Sequence, residues 1–237
     1  MTAAHFFIDD VDGVSVRITG ADAHHAARAL RIQPGEEITV SDGRGSVVRA
    51  RVTASSSSSL TGDVVARLSV EQPSPRVIVF PAVPKAGKLD AVVQKLTEIG
   101  VDEIRPWFAA RSVVRWDGAK ASAQAQRLRA IAREAAMQSR RAWLPVVTDP
   151  GPLENVPATA VVLDESAPVR LSRILPAVAP KEVGVVVGPE GGLTPAEVER
   201  LAGIGARVAS LGDQILRTET AAVVGPALIM ARYERLG

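Results

Sequence analysis

Val183-Gly184-Val185-Val186-Val187-Gly188-Pro189-Glu190-Gly191-Gly192, continuing into Leu193-Thr194-Pro195-Ala196-Glu197, is the stretch that decides the fold. A continuous apolar run suits a strand covered on both faces, a glycine-rich turn ends it, and Thr194 to Glu197 reads as a capping box with proline at the first helical position. The design recurs with Val208-Ala209-Ser210-Leu211-Gly212, which leads through Asp213-Gln214-Ile215-Leu216-Arg217 into Thr218-Glu219-Thr220-Ala221-Ala222. Two such turns, close in sequence, can form opposite walls of one pocket. Glycine lets backbone groups approach a ligand closely, and a helix start adds unpaired N–H donors. A purely structural turn is the competing explanation for either segment taken alone. The first is neither a dinucleotide fingerprint, which needs G-x-G-x-x-G, nor a P-loop.

Working outward, Arg76-Val77-Ile78-Val79-Phe80 and Val161-Val162-Leu163 share the same texture and alternate with helical segments, which predicts an α/β domain with a largely parallel sheet. Leu89, Val92, Val93, Leu96 and Ile99 fall in one apolar arc, so a helix is expected from Lys88 to Ile99 with Gly100 as its stop. The last helix, from about Thr218 to Arg235, is apolar over most of its length and should be buried, with a bend at Gly225-Pro226. The amino-terminal part differs. Val14, Val16 and Ile18, then Ile38 and Val40, then Val48, Ala50 and Val52, alternate with period two between glycine-rich turns and predict a small antiparallel barrel. One helix, capped by Asp22, interrupts it. Gln72-Pro73-Ser74-Pro75 stops either helix or central strand, and divides the chain into domains 1–72 and 73–237.

The 237 residues are 46% hydrophobic and 23% charged, the balance of an ordinary globular protein. Cysteine is absent, which excludes disulfides and thiolate chemistry, and His5, His24 and His25 lack metal-ligand spacing, so no metal is expected. The start carries no basic leader and no apolar run is long enough to span a bilayer; a cytoplasmic protein without membrane contact is expected. Net charge is only +2, yet residues 73–145 hold 13 basic and 6 acidic side chains between mildly acidic flanks. That middle third suggests a polyanion such as RNA, against the alternative of a solvated helical face. Within Gln124 to Arg141, helical spacing puts Arg129, Arg133 and Arg140 on one ridge, with Glu134 and Gln138 on another sector, where a shared pocket competes with plain solvent.

The paired motifs GPEGG-LTPAE and LGDQILRTETAA resemble those of the 16S ribosomal RNA uridine-N3 methyltransferases, knotted SPOUT-class enzymes that use S-adenosylmethionine, and the resemblance covers nearly the whole chain. It implies a PUA-like RNA-binding barrel before a SPOUT α/β domain with a trefoil knot, a homodimer, and 16S rRNA within the small subunit as substrate. The cofactor-binding positions it carries over are Leu163, Gly188, Glu190, Gly191, Leu211, Gly212, Ile215, Leu216 and Thr220. Glu134-Ala135-Ala136-Met137-Gln138-Ser139 looks like the family's E-A-x-E-Q-S element with Met137 in place of the second acid. Arg111-Ser112, after an expected strand from Glu103 to Phe108, matches the family too, although a salt bridge explains an arginine there equally well. His25 to Arg31 is similar to the family's H-x-x-x-V-L-R signature, which implies that Arg31 touches RNA while His25 packs. Uridine N3 must lose its imide proton before it accepts a methyl group, so Arg111 or Arg217 is expected to stabilise the anion and Glu134 to position it or take the proton. Two other classes stay open: a non-catalytic RNA-binding protein leaves the paired turns unexplained, and a small-molecule enzyme leaves the basic middle third unexplained. A methyltransferase acting at another RNA position is a further alternative.

Overall fold

The computed structural model describes residues 3–85 and 87–237, so Met1 and Thr2, read above for a leader, lie outside the described residues. Contacts divide the chain into two units, one holding the residues up to Gln72 together with Ala136–Leu144, the other Pro73–Ala135 with Pro145–Gly237.

The first unit is a five-stranded sheet built from β1 (Ala4–Phe7), β2 (Ser15–Thr19), β3 (Glu37–Ser41), β4 (Ser46–Ser55) and β5 (Ser59–Ser69), with helix α1 (Gly20–Arg28) between β2 and β3; the strand order is β1-β3-β4-β5-β2. Alternation sends Val16, Ile18, Ile38, Val40, Val48, Ala50 and Val52 inward onto Phe6 and Leu60. Every neighbouring pair is antiparallel except β1 with β3, which run parallel because β2 and α1 intervene and carry the chain back to the same end. Helix α1 starts at Gly20 behind Thr19, not behind Asp22; Asp22 falls in the first turn, where its charge still suits the helix dipole. Residues 136–144, which the sequence reading leaves with the second domain, pack here. Met137 lies against this core, Trp143 donates its indole N–H to the Val70 carbonyl at 2.9 Å, and its ring stands so close to Gly45 that any Cβ there would lie 2.6 Å away.

His5 is buried in this unit, 6% exposed, with Nδ1 2.9 Å from Thr39 Oγ1. Burial lowers its pKa from 6.5 to about 4, opposed by the backbone of Arg141 and assisted by the charge of Arg140. The unfolded chain therefore takes up a proton near pH 6.5 that the folded unit refuses until about pH 4. Stability should fall as pH drops through that window, by at most about 3 kcal/mol from this group. Urea unfolding at neutral and mildly acidic pH should show a smaller acid loss in His5→Gln than in wild type; equal losses would remove His5 from the account.

The second unit contains β6 (Arg76–Pro81), α2 (Lys88–Glu98), β7 (Glu103–Ile104), α3 (Gly118–Gln138, its last residues belonging to the first unit), β8 (Val146–Val147), β9 (Val161–Leu163), the short α4 (Leu171–Ile174), β10 (Glu182–Val187), α5 (Pro195–Gly203), β11 (Arg207–Ala209) and α6 (Thr218–Arg232). Its six strands are all parallel, in the order β11-β9-β10-β6-β7-β8. Both faces are covered. Val77, Val79, Val183, Val185 and Val187 enter one core, and Ile78, Phe80, Val162 and Val186 the other, which is why these strands read as unbroken apolar runs.

Three elements end earlier than expected. Strand β7 stops at Ile104 rather than Phe108, since Pro106 has no N–H to continue a ladder, and only Trp107 rejoins, through isolated bridges to Ala82 on one side and Gly151 on the other. Helix α3 stops at Gln138 and Arg140 turns left-handed at φ 56°, so Arg140 does not share the helical face of Arg129 and Arg133. Helix α6 stops at Arg232, and Arg235 turns back to fork onto Asp102 at 2.6 and 3.2 Å, a pair buried to about a twentieth exposed. Asp102 also accepts the Val77 N–H, so the chain's last turn is fastened to the start of β6. From the edge strand β11, α6 crosses back to pack on β10, β6 and α2.

Candidate active site

The carboxyl ends of three neighbouring strands set the site. Val187 of β10 is level with Leu163 of β9, and Leu163 with Ala209 of β11, so the loops that follow these strands leave the sheet side by side. Such ends of a parallel sheet are where α/β proteins place ligands. Between the loops lies a cleft of about 240 Å³. One wall is the turn 188–193, another the segment 211–218, and the third the turn Asp164-Glu165-Ser166.

Each wall is fixed by identifiable contacts. In the third, Asp164 Oδ1 accepts the backbone N–H and the hydroxyl of Ser166 at 2.8 and 2.6 Å. The segment after it is laced to the second: Asp164 N–H donates to the Ala209 carbonyl, Leu171 N–H to Ser210, and the Ser210 N–H to Val169. Arg170 reaches both carboxylate oxygens of Asp213 at 2.8 Å. In the first wall Gly192 has φ +70° and Gly212 in the second has φ +141°, conformations that L side chains rarely adopt.

Arg111 joins the site from the loop after β7. Its Nη1 donates to the carbonyls of Gly191 at 2.7 Å and Leu193 at 3.2 Å, and the side chain lines the cleft. That loop is held in turn by Glu197. One carboxylate oxygen of Glu197 accepts the Ala110 N–H at 2.8 Å, while the other accepts the Thr194 N–H and hydroxyl, completing the capping box at the start of α5. Burial would raise the Glu197 pKa, but the N–H groups of Thr194 and Ala110, the Thr194 hydroxyl and Arg200 outweigh it and hold the carboxyl below its ordinary value. A closed circuit therefore runs from the glycine turn through α5 and Arg111 back to the same turn.

Of the cofactor positions carried over from sequence, Leu163, Gly188, Gly191, Leu211, Gly212 and Leu216 line the cleft. Glu190, Ile215 and Thr220 do not. Glu190 turns to Lys88 and the Lys85 N–H, Ile215 stands 78% exposed, and Thr220 lies on the outer side of α6. Arg111 lines the cleft, whereas Arg217 and Glu134 are exposed and do not. Among the expected RNA contacts, Arg31 and Arg140 are exposed with positive φ, Arg133 is half-buried, and Arg129 is already engaged by the Val147 carbonyl at 3.0 Å and Asp149 at 2.5 Å. Sequence reasoning missed Asp164, Glu165, Ser166, Gln214 and Thr218 as lining residues. The available signal was position: Asp164 directly follows a strand already recognised, at its carboxyl end.

The residues present suit a cationic nucleoside-like molecule. Leu163, Val187, Leu211 and Leu216 offer apolar surface, the glycine turns offer close backbone groups, and Asp164 and Glu165 put carboxylates on the wall.

The chain matches two family descriptions, "RNA methyltransferase domain" over residues 71–230 and "RNA methyltransferase PUA domain" over residues 18–65. It is 38% identical to the ribosomal RNA small subunit methyltransferase E of Mycobacterium tuberculosis, over 94% of this chain and 90% of that protein. With the protein of the same name from Bacillus subtilis it shares 33% identity, over 92% and 91%. The crystal structure of a ribosomal RNA small subunit methyltransferase E from Neisseria gonorrhoeae bound to S-adenosyl methionine resembles it with a TM-score of 0.85 at 25% identity, covering 97% of this chain and 98% of that one.

Proposed function

Because the chain belongs to the RNA methyltransferase family with an amino-terminal PUA domain, whose relatives bear the name ribosomal RNA small subunit methyltransferase E, we propose that it methylates N3 of a uridine in 16S rRNA. S-adenosylmethionine is the methyl donor in this reading. The observation that carries it is the cleft at the carboxyl ends of β9, β10 and β11, walled by two glycine turns and a carboxylate-bearing one. The fold is the SPOUT-type α/β domain behind a PUA-like sheet that the resemblance implied.

Bound there, S-adenosylmethionine supplies an electrophilic methyl group on a positively charged sulfur with its own leaving group. The protein's share is to bind, orient and discharge a proton. The turns at Gly188, Gly191 and Gly212 bring backbone close, and Asp164 and Glu165 favour positive charge. Arg111 faces the cleft beside Gly191, in position to stabilise the negative charge that spreads over N3, O2 and O4 when the imide proton leaves. Glu134 and Arg217 do not line this cleft in the single chain, so the expected part of Glu134 as positioner or base, and of Arg217 as the alternative stabiliser to Arg111, would need a neighbouring subunit or a side-chain movement to bring them to it. The homodimer and the trefoil knot are taken from the family resemblance; exposed Ile215 and Leu228 provide apolar surface that a second copy would cover, and light scattering tests it. A ribosomal substrate would place the work in the cytoplasm. Among the described residues no helix is long and apolar enough to cross a membrane.

The deciding experiment offers purified protein and labelled S-adenosylmethionine to small subunits and free 16S rRNA that lack the modification, then maps the methyl group by mass spectrometry. Label on uridine N3 supports the reading, label elsewhere on the RNA revises the position, and no transfer to either form sinks it. Charge removal at Arg31, Arg129, Arg133 and Arg140 together should also weaken RNA binding and flatten its salt dependence by roughly 0.7 to 0.9 per lost phosphate contact. Arg129, already paired with Asp149, should contribute less than exposed Arg31. A slope unchanged from wild type would return these side chains to an ordinary solvated surface.

A further inference from the structure

Lys88 opens α2, and its ammonium reaches two carboxylates, one in the turn 188–193 and one at the start of α6. Glu190 sits in the first glycine turn, with Oε1 3.9 Å from Lys88 Nζ and 3.2 Å from the backbone nitrogen of Lys85. Glu219 lies in the first turn of α6, just past the second wall, with Oε1 3.1 Å from the same Nζ. Its own backbone N–H, together with Lys88 and against the effect of burial, keeps the Glu219 carboxyl below its ordinary pKa, so it is charged at neutral pH. None of the three side chains lines the cleft, and none has a part in the chemistry derived above.

We propose that Lys88 is a positioning residue that ties the 188–193 wall to the start of α6, and thereby sets how tightly the cleft holds S-adenosylmethionine. The inference rests on the methyltransferase reading of that cleft. One ammonium bridges two carboxylates and offsets one of their two charges; taking it away leaves two like charges without the cation that draws the turn and the helix together. The three side chains are between a quarter and two fifths exposed, so solvent screens each pair. Removing the lysine should therefore loosen the cleft by a modest factor and leave the fold and the reacting groups in place.

The test uses the full chain as wild type, Lys88→Met, Lys88→Arg and the double variant Lys88→Met/Glu190→Gln. Titration calorimetry reads S-adenosylmethionine affinity, and single-turnover methylation of RNA at saturating cofactor reads the chemical step. Lys88→Met should bind the cofactor roughly two- to fivefold more weakly, the range that partly exposed ion pairs support. Lys88→Arg should recover most of that loss, and the double variant should bind better than Lys88→Met because one of the facing charges is gone. The saturated single-turnover rate should stay within about twofold of wild type. Unchanged affinity in Lys88→Met, or a double variant that binds no better than it, overturns the clamp. A slowed saturated rate with normal affinity overturns it as well, in favour of a direct role in the chemistry. If wild type itself binds no S-adenosylmethionine, the reading of the cleft falls and the clamp with it, an outcome distinct from a failure confined to the variants.

Discussion

Gly225→Ala should weaken S-adenosylmethionine binding by about tenfold or more while lowering thermal stability by only about a few degrees. In an ordinary helix interior this substitution stabilises by up to about 1 kcal/mol. Here a Cβ at position 225 would stand 2.5 Å from Leu163 Cδ1, well inside contact distance. Something must shift, and α6 is poorly placed to do so: it packs on β10, β6 and α2, and Arg235 beyond its end is anchored on Asp102. Leu163 is the movable partner. It ends β9, it lines the cleft, and the nearest open space is the cleft itself, so the displaced side chain should swing into the volume the cofactor needs. Overpacking of this kind costs about 1–3 kcal/mol, partly offset by the gain in helix propensity, which leaves ligand affinity as the sensitive readout. Shortening the obstructing side chain in Gly225→Ala/Leu163→Val should recover part of the binding. Calorimetry that finds Gly225→Ala equal to wild type would show that the leucine finds room elsewhere.

The two turns were legible because glycine and proline punctuate them and because apolar runs lead into both. Leu163 was legible as the end of such a run. Asp164-Glu165-Ser166 was not, since a short polar turn without glycine looks like any loop; it becomes a wall only because β9 is inserted between β10 and β11, a tertiary fact that local sequence does not carry. Glu190 illustrates the reverse error of scale. Its place in the motif points to the cleft, yet Lys88, far away along the chain, draws it aside. The basic ridge loses its third member for a local reason: α3 ends at Gln138, and Arg140, two residues beyond, is carried off the face that Arg129 and Arg133 share. Residues 136–144 lie on the first unit through Met137 and Trp143, and no break in composition marks the place where the helix passes from one unit to the other.

Arg111→Ala should slow single-turnover methylation by a factor on the order of a hundred or more, the typical loss when one preorganised donor to a developing anion is removed. Two roles of Arg111 must be separated, because its Nη1 also holds the Gly191 and Leu193 carbonyls. If it only fastens the turn, cofactor affinity should fall and the rate at saturating cofactor should survive. If it stabilises the uridine anion, the saturated rate should fall with cofactor affinity reduced much less, since that interaction exists only as charge develops. Arg111→Lys keeps the charge but loses the planar fork, and an ammonium cannot hold two carbonyls and face the substrate as the guanidinium does, so it should restore only part of the rate. Raising the pH discriminates further: it helps a variant that lacks a proton acceptor, as Glu134→Gln would if that residue is the base, but it does little for one whose anion has no partner. Arg217→Ala and Glu134→Gln, whose side chains lie outside the cleft of a single chain, should each slow the reaction less than Arg111→Ala. Should either slow it more while Arg111→Ala keeps the wild-type rate, the stabilising charge comes from another position and Arg111 is reduced to fastening the glycine turn.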